Sequence, residues 1–155
     1  MLLKDFLEQD FDNLYDFMRP LWLETYGDIL PVTQIEFLLD KYFSKEGLTH
    51  FRSLGYRYRK IADVGVLVTV DKGTEIYLDK LYLLPSARGH GYAKSVFEAL
   101  KTEGKDITLN VNQANERAVK CYLKSGFVIE RKTNIPLGHG MVNCDYEMRL
   151  HVKQK

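Results

Sequence analysis

The stretch from Leu81 to Leu100, "LYLLPSARGHGYAKSVFEAL", constrains the fold more than any other part of the sequence. An apolar run typical of a strand ends at Pro85, two glycines follow, and apolar residues return at helical spacing after Gly91. A turn between a strand and a helix presents unpaired backbone N–H groups at the positive end of the helix dipole, and such groups bind anions. The stretch therefore predicts a strand, an anion-binding loop and a helix, in that order.

Three phosphate-binding patterns compete for this loop. The Walker A pattern G-x-x-x-x-G-K-[ST] fails because Arg88 and Ala93 occupy its two glycine positions. The dinucleotide pattern G-x-G-x-x-G fits Gly89 and Gly91 and then meets Lys94. The third pattern, [QR]-x-x-G-x-[GA], is satisfied by Arg88, Gly91 and Ala93.

A second motif follows in the segment "ITLNVNQANERAVKCYLKSGF". Asn115, Ala118 and Tyr122 fit the pattern N-x-x-A-x-x-x-Y, and Gly126 and Phe127 come directly after it. The two motifs, in this order, resemble those of the GNAT superfamily, the acyl-CoA-dependent N-acetyltransferases. The resemblance covers essentially the whole chain.

The periodicity of the remaining sequence agrees with such a fold. Two amphipathic helices open the chain, and three strands with a hairpin turn at Asp71 to Gly73 run from Gly55 to the loop. A strand "DITLNVN", a helix "ERAVKCYLKS" capped by Asn115, and two strands "FVIERK" and "CDYEMRLHV" joined by a Pro- and Gly-containing segment complete it; "LLKDF" suggests one more short strand. We expect one α/β (α+β) domain over residues 1–155, with a GNAT-like mixed, mostly antiparallel sheet of six to seven strands and about four helices.

Composition excludes several other classes of protein. The 155 residues include 22 basic and 21 acidic side chains, so no global field attracts nucleic acid or an anionic membrane. The chain begins without a signal-peptide pattern and has no membrane-spanning run, so we expect a cytoplasmic protein. The two cysteines and four histidines lack the spacing of a metal site. Whether the chain forms a homodimer is left open.

The resemblance implies which residues bind acetyl-CoA. The main chain from Gly89 to Lys94 would hold the diphosphate, with added charge from Arg88 and Lys94, and the end of the preceding strand would hold the pantetheine arm. The implied cofactor-binding residues are Leu81, Tyr82, Leu83, Arg88, Gly89, His90, Gly91, Tyr92, Ala93, Lys94 and Asn115. Asn115 is equally suited to a purely structural helix cap.

Tyr122 matches the general acid of the family. A phenol with a pKa near 10 can protonate a thiolate whose conjugate acid has a pKa near 8.5, provided that the two are within hydrogen-bond reach. The alternative is that Tyr122 packs a helix against the sheet. Glu24, Asp28 and Asp79 are candidates for binding or deprotonating the acceptor amine, and the base stays unassigned.

The sequence therefore predicts an acyltransferase that moves acetyl from acetyl-CoA to a primary amine by direct attack in a ternary complex. Acidic residues of the early helical region, among them Glu24, Asp28 and Asp40, favour a small cationic amine such as a polyamine. A protein N-terminus or a lysine side chain is the alternative acceptor. A non-catalytic sensor that binds CoA with the same fold is the alternative class.

Overall fold

The computed structural model describes residues 2–138 and 140–152, and in this part of the chain it has seven strands and five α-helices. The strands are β1 (Leu3–Asp5), β2 (Tyr56–Ile61), β3 (Gly65–Asp71), β4 (Glu75–Leu83), β5 (Asp106–Asn112), β6 (Val128–Gly138) and β7 (Met141–Leu150). The helices are α1 (Phe11–Tyr26), α2 (Val32–Phe43), α3 (Lys45–Ser53), α4 (Tyr92–Lys101) and α5 (Glu116–Lys124). Short 3-10 turns lie at Glu8–Asp10 and Pro85–Ala87.

The strands form one mixed sheet in the order β1-β2-β3-β4-β5-β7-β6. β4 pairs with β5 in parallel, whereas β1 with β2, β5 with β7 and β6 with β7 are antiparallel. The predicted fold class is thereby confirmed, as is the short first strand. None of the helices in the described part of the chain is both long and apolar enough to cross a membrane.

The helical part of the prediction missed α3. This helix buries a single side chain, Leu48, so it lacks the repeated apolar stripe by which a helix is detected in a sequence. It begins where the Ser44 hydroxyl oxygen accepts a hydrogen bond from the Gly47 amide at 3.0 Å, which is an N-cap. The early region therefore has three α-helices in place of the two expected.

The last two strands are longer than predicted. Of the segment expected to be a connection, residues 133–138 belong to β6, which runs through Pro136, and residues 141–143 belong to β7. Ile135 of β6 pairs with Asn143 of β7. β6 is the last strand in the sheet order, and proline is tolerated on an edge strand because its missing N–H need not face a neighbour.

The chain divides into two compact units, residues 1–68 with 80–92 and residues 69–79 with 93–155. In the first unit, α1 to α3 pack on β2 and β3 around fully buried side chains that include Met18, Ile35, Leu39, Phe43 and Leu48. In the second unit the rings of Phe97, Tyr122 and Phe127 pack on one another with centroids 5.1 to 6.0 Å apart. The single domain expected from the sequence stays a prediction.

Candidate active site

The strand that leads to the glycine loop is only partly covered by its parallel neighbour. Pairing of β4 with β5 runs from Glu75 opposite Asp106 to Leu78 opposite Leu109, and β4 continues to Leu83. The segment implied to hold the pantetheine arm, Leu81–Leu83, lies beyond the last of these pairs, and all three of its side chains are half-buried.

The loop after β4 is shaped by two left-handed glycines. Gly89 has φ +76° and Gly91 has φ +83°, a region that side-chain-bearing residues rarely adopt. A Cβ placed on either glycine would meet no heavy atom within 4 Å, so one side of the loop is open. This is the space that a phosphate needs in order to approach the main chain.

The first amides of α4 follow directly after the two glycines of the loop. The amides of Tyr92, Ala93 and Lys94 open α4, and the first amides of an α-helix have no acceptor within the helix four residues earlier. These N–H groups carry the positive end of the helix dipole, and a diphosphate is an anion that suits them. The main chain therefore fits the cofactor that the sequence implied.

Arg88 joins the loop to α1. Its Nη1 donates a hydrogen bond to Oε1 of Glu24 at 2.5 Å, and the two side chains are 24% and 43% exposed. Sequence reasoning assigned Arg88 to the cofactor and Glu24 to the acceptor, and the structure brings these two side chains together. Asp28 is exposed in the turn after α1, and Asp79 is half-buried on β4.

An aromatic cluster in the first unit includes a residue of the implied pantetheine segment. The hydroxyl groups of Tyr82 and Tyr26 are hydrogen-bonded at 2.9 Å, and the ring of Trp22 lies 5.9 Å from that of Tyr82. Lys80 places its ammonium 3.9 Å from the centre of the Tyr42 ring, a cation–π contact. Sequence reasoning missed these contacts because they join residues far apart in the chain.

The other two implied site residues lie in the second unit. Tyr122 is 9% exposed, its ring packs against Phe97 and Phe127, and its carbonyl accepts a hydrogen bond from the Phe127 amide at 3.0 Å. The side chain of Asn115 accepts a hydrogen bond from the Ala118 amide at 3.4 Å, so the predicted N-cap of α5 is confirmed. Both residues thus have structural roles in this unit.

A covalent route through the neighbouring cysteine is disfavoured. Burial raises the pKa of the Cys121 thiol, so this group is protonated at neutral pH and a poor nucleophile. The described residues also contain no group of three or more histidine, cysteine, aspartate or glutamate side chains arranged to hold a metal ion.

Comparison with known proteins agrees with this arrangement. A profile of the acetyltransferase (GNAT) family matches residues 11–127. An uncharacterised N-acetyltransferase of Mycobacterium tuberculosis (strain H37Rv) is 37% identical over 79 residues, which are 48% of this chain and 50% of that protein. The peptidyl-lysine N-acetyltransferase YjaB of Salmonella typhimurium is 34% identical over 59 residues, 38% of this chain and 41% of that protein. The chain thus spans about half the length, or less, of these relatives.

The fold is also found among solved structures. The PaiA N-acetyltransferase from Thermoplasma acidophilum, solved in complex with coenzyme A, superposes with a TM-score of 0.71. The match covers 96% of both chains at 22% sequence identity, and at that identity it shows a shared fold.

Proposed function

Because the chain belongs to the acetyltransferase (GNAT) family, we propose that it transfers an acetyl group from acetyl-CoA to a primary amine. The observation that carries the proposal is the loop between β4 and α4. Its two glycines are left-handed, the space beside them is open, and the first amides of the following helix have no acceptor within that helix.

The chain would hold the donor substrate with its main chain. The amides from Gly89 to Lys94 would donate to the diphosphate, and the cations of Arg88 and Lys94 would neutralise part of its charge. The main chain of Leu81–Leu83 would hydrogen-bond the amide groups of the pantetheine arm, as an added strand does. These contacts would orient the thioester and leave its carbonyl carbon open to attack by the acceptor amine.

The transfer needs a neutral amine and one proton for the leaving group. The amine nitrogen attacks the thioester carbonyl carbon, a C–N bond forms, the C–S bond breaks, and the thiolate takes a proton. We assign that proton to the Tyr122 hydroxyl, which regains one from solvent as the amine loses its own. The products are an N-acetylated amine and CoA with a free thiol.

The acceptor in this proposal is an amine that is a cation in solution and that loses one proton to water before it attacks. The segment 11–43, which contains α1 and α2, carries six acidic and two basic side chains, so its field attracts positive charge. To bind, a small amine such as a polyamine would need this negative field and a pocket for its carbon chain. A lysine side chain in a peptide is the second candidate, favoured by the similarity to a peptidyl-lysine N-acetyltransferase.

The test is a thiol-release assay with acetyl-CoA and a panel of polyamines, amino acids, aminoglycosides and lysine peptides. We expect amine-dependent release of CoA with at least one class, and the preferred class identifies the acceptor. CoA binding without release for any amine would favour the non-catalytic sensor. Failure to bind CoA at all would overturn the assignment of the loop.

A further inference from the structure

The ion pair between Arg88 and Glu24 is expected to contribute little to holding the loop in place. Both side chains are partly exposed, and exposed ion pairs contribute little to stability. The start of the loop is fixed by other contacts: the Leu84 amide donates to the Val64 carbonyl at 2.8 Å, and Ala87 is buried. Breaking the pair should therefore cost the fold little.

The guanidinium of Arg88 is well suited to bind phosphate. In this structure its Nη1 donates instead to the Glu24 carboxylate. A guanidinium binds carboxylate and phosphate with the same planar set of donors. Glu24 and the diphosphate are thus alternative partners of one cation.

From this geometry we infer that Glu24 is an internal competitor for Arg88, which lowers the affinity of the loop for the diphosphate of acetyl-CoA and of CoA. The inference rests on the proposed function. When the donor binds, Arg88 exchanges the Glu24 carboxylate for phosphate oxygens. When CoA leaves, Glu24 takes Arg88 back.

The competition acts on substrate and product alike, because acetyl-CoA and CoA share the same diphosphate. Glu24 therefore weakens the retention of the CoA product after acetyl transfer and favours turnover. It does so without touching the reacting atoms, so its effect appears in binding constants and in product inhibition.

The first test is isothermal calorimetry of CoA binding to Glu24→Gln, wild type and a control variant. Glu36→Gln is the matched control: Glu36 is also 43% exposed, it pairs with Arg19, and the variant makes the same change in net charge. We expect Glu24→Gln to bind CoA about two- to fivefold more tightly, the factor that corresponds to one exposed ion pair. Glu36→Gln should match the wild type.

A double-mutant cycle separates exchange at Arg88 from simple charge repulsion. The Arg88→Gln variant lacks the cation for which Glu24 and the diphosphate compete. Adding Glu24→Gln to that variant should therefore leave the dissociation constant of CoA unchanged. The same tightening with and without Arg88 would overturn the inference, as would weaker or unchanged binding of CoA by Glu24→Gln alone. Wild-type protein that fails to bind CoA would instead refute the proposed function.

Discussion

The chain contains two turns that lead from parallel neighbouring strands into helices, and the two are built in different ways. The turn from β5 into α5 is closed by its own side chains: Asn112 accepts from the Ala114 amide at 2.8 Å and Asn115 accepts from the Ala118 amide. The turn from β4 into α4 relies on left-handed Gly89 and Gly91, and neither glycine has a side chain that could accept from the first helix amides. A helix start that is satisfied internally is a structural joint, and one that is left open can bind an anion.

The largest effect is expected for Tyr122→Phe, in the helix that follows the closed turn. Tyr122→Phe keeps the ring against Phe97 and Phe127 and removes the hydroxyl proton. We expect kcat to fall about 100-fold, which is the lower end of the range typical of general acid catalysis. Stopped-flow and steady-state thiol release measure the change, with Tyr77→Phe as the control. Wild-type kcat in the Phe variant, with chemistry shown to be rate-limiting, would return Tyr122 to a packing role.

The open turn should fail when its left-handed backbone is blocked. Gly91→Val puts a β-branched residue at φ +83°, which costs about 1–2 kcal/mol and displaces the amides, so the dissociation constant of acetyl-CoA should rise about tenfold or more. Gly73→Val is the matched control, because Gly73 lies in the hairpin turn after β3 with φ +86° and has equally open space around it. A similar loss of affinity in both variants would show that strain, and not the loop, is responsible.

The closed turn should lose stability more than affinity. Asn115→Ala removes the N-cap of α5 and should lower the free energy of unfolding by about 1 kcal/mol in urea titrations. Asn115→Ser restores a capping oxygen and should recover most of that stability. Weaker CoA binding by a stable Asn115→Ser variant would show that the Asn115 amide also contacts the cofactor, as the family resemblance implies.

Sequence reasoning located the elements of the fold well where local chemistry defines them. The glycines of the loop and the cap at Asn115 act within a few residues, and alternating patterns marked the strands. The helix α3 was missed because it buries only Leu48. The pairs Arg88 with Glu24 and Tyr82 with Tyr26 were not predictable, since each depends on how distant segments pack.

The most direct test of the account is a nuclear magnetic resonance titration of the 15N-labelled protein with CoA. If the open turn holds the diphosphate, the largest shifts should fall on the amides from Gly89 to Lys94. The amides of Ala114 and Ala118, at the closed turn, should move less because Asn112 and Asn115 already accept their hydrogen bonds. CoA binding that leaves the amides from Gly89 to Lys94 unmoved would contradict the central claim.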